Sequence, residues 1–243
     1  MRRPATARSL IAGFLAAGGA TVALGAPYQD IERDDAAAVR RALDSGEIAL
    51  DAKVGEPPVP MLAAAARAGS VQVVRLLVAR KADLDAKTPV GETAVMLASF
   101  VPDTPGEPGV PPGRAQMEIV RVLVEAGASL ENPGHLTAVS YAAYAGRVEI
   151  LRYLLDRGAS PDAGATGEGY RYPTPLSMAI MKGNPDAVRL LLERGANPRI
   201  KGPGGEDALG IARKHERTEM IPLLECTVAL GPGERFVERC GKL

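Results

Sequence analysis

Along this chain apolar residues recur in two alternating patterns separated by fixed polar punctuation, most regularly in TPLSMAIMKGNPDAVRLLLERGANPR at 174–199. The first pattern is short and dense, with Leu176, Met178, Ala179 and Ile180 following Thr174 and Pro175. A Thr hydroxyl accepts a hydrogen bond from an orphan N–H, and Pro at the first helical position gives up none, so a helix is predicted to begin here. Gly183 closes it in a left-handed conformation, Asn184 caps the next helix and Pro185 opens it. The second pattern places Val188, Leu191 and Leu192 at spacings of three and four, the stripe of an amphipathic outer helix, which Gly195 ends.

The same unit can be superposed on other parts of the chain. TAVSYAAYAGRVEILRYLLDRGASPD fills 137–162 and PMLAAAARAGSVQVVRLLVARKADLD fills 60–85. A third copy begins TAVMLASF at 93 and resumes MEIVRVLVEAGASLEN at 117, and a degenerate one reads DALGIARKHERTEMIPLLE from 207. Anchors at Pro60, Thr93, Thr137, Thr174 and Asp207 are 33, 44, 37 and 33 residues apart. The unit resembles the ankyrin repeat, whose period is about 33 residues, and the two longer intervals contain insertions. That resemblance implies an all-α solenoid of stacked helix-turn-helix units with hairpin fingers, about five repeats preceded by an N-terminal half-repeat cap. One such helix pair cannot bury its apolar face alone, so stacking creates the core. Ala65, Ala98, Ala142, Ala179 and Ala212 share one inner-helix register, and Leu76, Leu123, Leu154, Leu191 and Leu223 are the predicted hydrophobic spine.

The ends differ in character. Residues 1–25 carry Arg2, Arg3 and Arg8, an apolar stretch from Leu10 to Leu24 and no acidic residue, the form of a secretory signal peptide cut after Gly25 or Ala26. Removing it takes three arginines from 29 basic residues against an unchanged 29 acidic, leaving a charge of about −3. This balance offers no electrostatic case for nucleic acid or, after cleavage, for an anionic membrane. Repeats are expected near 28–54, 55–87, 88–132, 133–162, 163–200 and 201–225, followed by a tail, 226–243. In the first, Ala38, Val39, Ala42 and Leu43 share a helical face and Gly46 follows its end; in the last, Pro222 is expected to distort the outer helix. Cys226 and Cys240, the only cysteines, are expected to form a disulfide in an exported chain.

Departures from the family pattern carry further expectations. The His that commonly follows T-P-L in ankyrin repeats is replaced by Ala63, Met96, Ser140, Ser177 and Gly210, so the polar ladder it supplies is predicted to be missing. Lys81 stands where Gly127, Gly158 and Gly195 stand, a cost if φ is positive there. Both point to a soft array that unfolds in more than one step, weakest in its early copies. The segment 101–116, VPDTPGEPGVPPGRAQ, is predicted to loop out between inner and outer helices, because its prolines and glycines suit neither helix nor core. It is either a tolerated insert or a docking loop. The longer finger at 163–173 ends in Tyr170, Arg171 and Tyr172, residue types enriched at binding hot spots.

Chemistry is sparse. No nucleophile-elbow, phosphate-loop or zinc-protease motif occurs, and His135 and His215 lie in different turns. Cys226, Cys240 and His215 lack metal-ligand spacing, the GPGGE run at 202–206 suits a finger, and Asp34, Asp35, Glu118 and Glu125 suit solvated helix positions. No cofactor, metal or catalytic residue is expected. What remains is the stripe just before each turn, Arg67, Phe100, Tyr144, Met181 and Lys214, three of them apolar or aromatic where an idle surface would be polar. The expectation is a periplasmic or secreted non-enzymatic adaptor that grips another protein by its concave inner-helix face and fingers, stabilising or inhibiting it. A secreted effector engaging a host protein and a scaffold tethered by an uncleaved N-terminus remain open, as do the partner's identity and the oligomeric state.

Overall fold

A computed structural model describes residues 26–100, 114–132, 135–164, 173–230 and 235–242. The leader, most of the 101–116 insertion and the Tyr170, Arg171, Tyr172 tripeptide lie outside the described residues. Inner helices are α1 (Ala26–Glu32), α3 (Met61–Ala68), α5 (Ala94–Phe100), α7 (Ala138–Ala145), α9 (Pro175–Lys182) and α11 (Ala208–Lys214). Their outer partners are α2 (Ala36–Asp44), α4 (Val71–Ala79), α6 (Arg114–Glu125), α8 (Val148–Asp156), α10 (Pro185–Glu193) and α12 (Ile221–Val228). A short helix α13 (Phe236–Arg239) follows, and the first finger closes as a hairpin of β1 (Lys53–Val54) on β2 (Val59–Pro60). Each inner helix packs on the next from α1 to α11, and the outer helices do the same from α2 to α10. The result is an all-α solenoid of stacked helix pairs with a linear core.

The helices start and stop for the reasons the residues suggest. The Thr174 hydroxyl accepts from the Ser177 N–H at 3.0 Å, Thr137 serves Ser140 at 3.4 Å and Asp207 serves Gly210 at 2.8 Å, each at the N-terminus of an inner helix. The alanine register is fully buried, Ala65, Ala98, Ala142, Ala179 and Ala212 all having no exposed surface. A larger side chain at any of them would force neighbouring inner helices apart. The five leucines of the predicted spine are likewise buried.

Several details differ from expectation. The N-terminal segment contributes α1 as well as α2, so a full helix pair caps the stack where a half-repeat was expected, with Ile31 buried against α3. Helix α6 begins at Arg114, so residues 114–116 are helical and not part of a loop; they lack the prolines and glycines that precede them, and Gln116 is buried. Pro222 sits within the first turn of α12, where it is tolerated, and the distortion falls just before it as a 3-10 turn at Thr218–Met220. The described part of the tail packs on the stack: Cys226, inside α12, is disulfide-bonded to Cys240 with Cα atoms 5.9 Å apart, and Phe236 and Cys240 are buried. Helix α13 packs against α10, where the Arg189 guanidinium donates to the Gly241 carbonyl at 3.3 Å.

Candidate protein-binding face

The predicted stripe lies at the C-terminal ends of the inner helices, but only part of it converges. Phe100, 38% exposed, meets the Tyr141 ring edge-on at 5.4 Å between centroids and the Tyr144 ring at 5.9 Å. Phe100 and Tyr144, with Tyr141, Met178, Glu92 and Leu136, line an open cleft of about 270 Å³ between α5 and α7. The Tyr141 hydroxyl donates to Glu92 Oε1 at 2.7 Å, which fixes both ring and carboxylate. The Lys182 ammonium stands over the Tyr144 ring, 4.4 Å from its centroid. Of the other stripe members, Met181 is half-buried against the core, Arg67 donates to the Tyr28 hydroxyl at 3.3 Å, and Lys214 pairs with Glu206 at 2.5 Å. That Lys214 contact holds the Glu206 carboxyl below its ordinary range.

Four lining residues escaped the sequence reading. Tyr141 and Met178 lie four positions after their anchors Thr137 and Thr174, in register with Ala64, Leu97 and Ile211. The latter three are buried core residues, so that register signals packing. The available signal was Tyr141 and Tyr144 three apart, hence on one helix face.

Turns and fingers hold this face in place through hydrogen bonds that cross from copy to copy. Ser70 donates to the Ile31 carbonyl at 2.5 Å. Asn184 Nδ2 donates to the Ala143 and Tyr144 carbonyls at 3.0 Å each, and Arg217 to those of Ile180 and Met181 at 3.3 and 2.9 Å. Asn184 therefore occupies the N-cap position without bonding its own helix; its side chain serves the preceding inner helix instead. Gly146 and Gly183 are required here twice over. Each has positive φ, and a Cβ on Gly146 would lie 3.0 Å from Asn184 Oδ1, one on Gly183 3.1 Å from the Arg217 guanidinium.

A second series joins the fingers. The backbone N–H groups of Ser129, Ser160 and Asn197 donate to Asp85, Glu131 and Asp162 of the preceding copies at 2.9, 3.1 and 3.0 Å. The family's His is absent from its usual place, and other residues link successive copies. Partial burial pushes the Asp162 carboxyl above its ordinary pKa, opposed by the Asn197 N–H. Asn132, buried beside the cleft, donates to the Gly91 and Leu136 carbonyls at 3.0 and 3.2 Å, tying down the segments that carry Glu92 and Leu136.

The charges expected on solvated helices also hold structure. Asp34, in a turn with φ of 55°, accepts from the Gln72 and Val73 N–H groups at the start of α4, and Asp35 caps α2. Glu118 pairs with Arg75 and Glu125 with Arg157. Lys81 does adopt positive φ, 63°, as its glycine-type position requires. The 202–206 run forms the expected finger, with the Gly202 N–H bonded to the Glu206 carbonyl at 3.0 Å. Among the described residues no group of three or more His, Cys, Asp or Glu is placed to hold a metal, and no helix is long and apolar enough to cross a membrane.

The ankyrin repeat family model matches residues 60–89, 134–165 and 174–203. These three segments are ankyrin repeats, units that generally serve protein–protein interaction, and with the stacked helix pairs and fingers they fit an all-α repeat solenoid. The copy containing Phe100 and α6 falls outside the matched segments, as do both ends. No curated protein matches the chain.

Proposed function

We propose that the protein is an exported, non-enzymatic adaptor that binds a partner protein across its concave face, centred on the cleft between α5 and α7. The observation that carries this reading is the open aromatic cleft of Phe100, Tyr141 and Tyr144. Rings clustered in an open depression, Phe100 exposed and both tyrosines half-buried, suit a binding hot spot, whereas rings with a purely packing role would be covered. The fingers widen the surface, and Tyr170, Arg171 and Tyr172 belong to it by sequence. Bound there, the adaptor stabilises or inhibits its partner. Export is supported by the form of residues 1–25 and by the Cys226–Cys240 disulfide, which suits an oxidising compartment.

Affinity capture from the exported fraction, wild type beside Phe100→Ala with Tyr144→Ala, tests the surface. Partners retained equally by both baits would remove the cleft from the interface. N-terminal sequencing of the recovered protein tests export: a start near Ala26 supports a soluble adaptor, and an intact leader supports a membrane tether.

A further inference from the structure

We propose that the cleft between α5 and α7 receives an arginine side chain of the partner, its guanidinium laid against the aromatic rings and paired with Glu92; this rests on the concave face being the protein-binding surface. Three rings line one depression, with Phe100 and Tyr141 nearly perpendicular at 76°. Aromatic faces attract cations, and this cluster already holds one, the Lys182 ammonium over Tyr144. Glu92, two residues before α5, adds a half-buried carboxylate to the lining. Its oxygens accept from two neutral hydroxyls, Tyr141 at 2.7 Å and Thr88 at 3.4 Å. Among the described residues no Lys, Arg or His forms an ion pair with it. A half-buried carboxylate beside π faces has no countercharge among the described residues, and an incoming cation supplies one.

Size and shape narrow the cation. A cleft of about 270 Å³ is smaller than the usual small-molecule pocket and admits one extended side chain. A planar, weakly hydrated guanidinium stacks on a ring and forks a carboxylate at once, which a compact ammonium does not, and the ammonium position over Tyr144 is filled by Lys182.

Titration of the purified protein by NMR with N-acetyl-arginine N-methylamide, and with its citrulline and norleucine counterparts, tests this. Arginine is expected to shift the ring resonances of Phe100, Tyr141 and Tyr144 with an affinity about 3- to 30-fold above citrulline. In Glu92→Gln, whose neutral amide still fills the space, that preference should collapse. Equal binding of arginine and citrulline, or strongest binding of norleucine, overturns the arginine assignment and leaves an apolar anchor in a surviving binding face. Concentration-dependent ring shifts without any probe, abolished by Phe100→Ala, would assign the cleft to a second copy of the chain. No response to any probe also overturns the assignment, while the capture experiment, independent of these probes, decides whether the binding face itself stands.

Discussion

The copy at 174–203 and the copy begun at Thr93 are built on one plan and have gone different ways. The first has a Thr cap, proline openings, a turn glycine and an unbroken leucine stripe, and these features start, end or stack its helices. The second keeps the inner helix and, from Arg114, the outer one, but is interrupted between them, and it places Phe100 and Glu92 at the cleft. Regularity serves the fold, and departure from it serves the surface. Damage to the regular copy should therefore be felt in stability, and damage to the interrupted copy in binding.

The largest expected effect is Leu191→Ala in the regular copy, which empties a fully buried site in α10 and should cost about 2–5 kcal/mol in a denaturant melt. A loss below about 1 kcal/mol would deny the leucines their role as spine. In the interrupted copy, Phe100→Ala with Tyr144→Ala should weaken partner binding by about 2 kcal/mol or more, measured by calorimetry once a partner is in hand, with the helical circular dichroism unchanged. Asn184→Ala should cost about 1–3 kcal/mol, since the Ala143 and Tyr144 carbonyls lose their donor. Smaller still, Lys81→Gly should stabilise the protein by about 1 kcal/mol through relief of a positive φ, and a destabilisation would show the lysine side chain to matter more than the backbone.

The smallest effect is in pH. The Asp162 carboxyl has a folded pKa raised above its ordinary 3.8, so the folded state binds more protons than the unfolded one across that window. Its favourable contribution is complete below the ordinary value and is lost as pH rises through the raised one. Melts of Asp162→Asn, which keeps an acceptor for the Asn197 N–H, should lack this decline. Wild type and variant running parallel from pH 3 to 6 would refute the assignment.

Much of the regular copy was legible in the sequence, because repetition lets one position speak for five. The buried alanine register, the leucine spine, the Thr174 cap and the positive φ of Lys81 all follow from residue type at a recurring place. The disulfide followed from having two cysteines close together in a chain of exported form. The polar links between turns were not legible, because the acceptors are main-chain carbonyls and the donor changes from Ser70 to Asn184 to Arg217, so no residue type recurs. Asn184 illustrates the competition: its type suits a cap, but Gly146 leaves room for it to reach the neighbouring helix, and that bond is the one made. Half the cleft was visible in Phe100 and Tyr144. The rest was hidden because Tyr141 and Met178 share a register with core residues, and because Glu92 precedes the anchor from which positions were counted.

Softness is expected at the early copies, where Lys81 is held at positive φ. The central claim, however, concerns the surface. A photo-crosslinking phenylalanine analogue placed at Phe100, at Tyr144 and at Arg152, an exposed residue of outer helix α8, tests it directly in cells producing the full chain. The account predicts a discrete partner adduct from positions 100 and 144 and none from 152. An adduct from 152 alone would place the binding surface on the outer helices and contradict it.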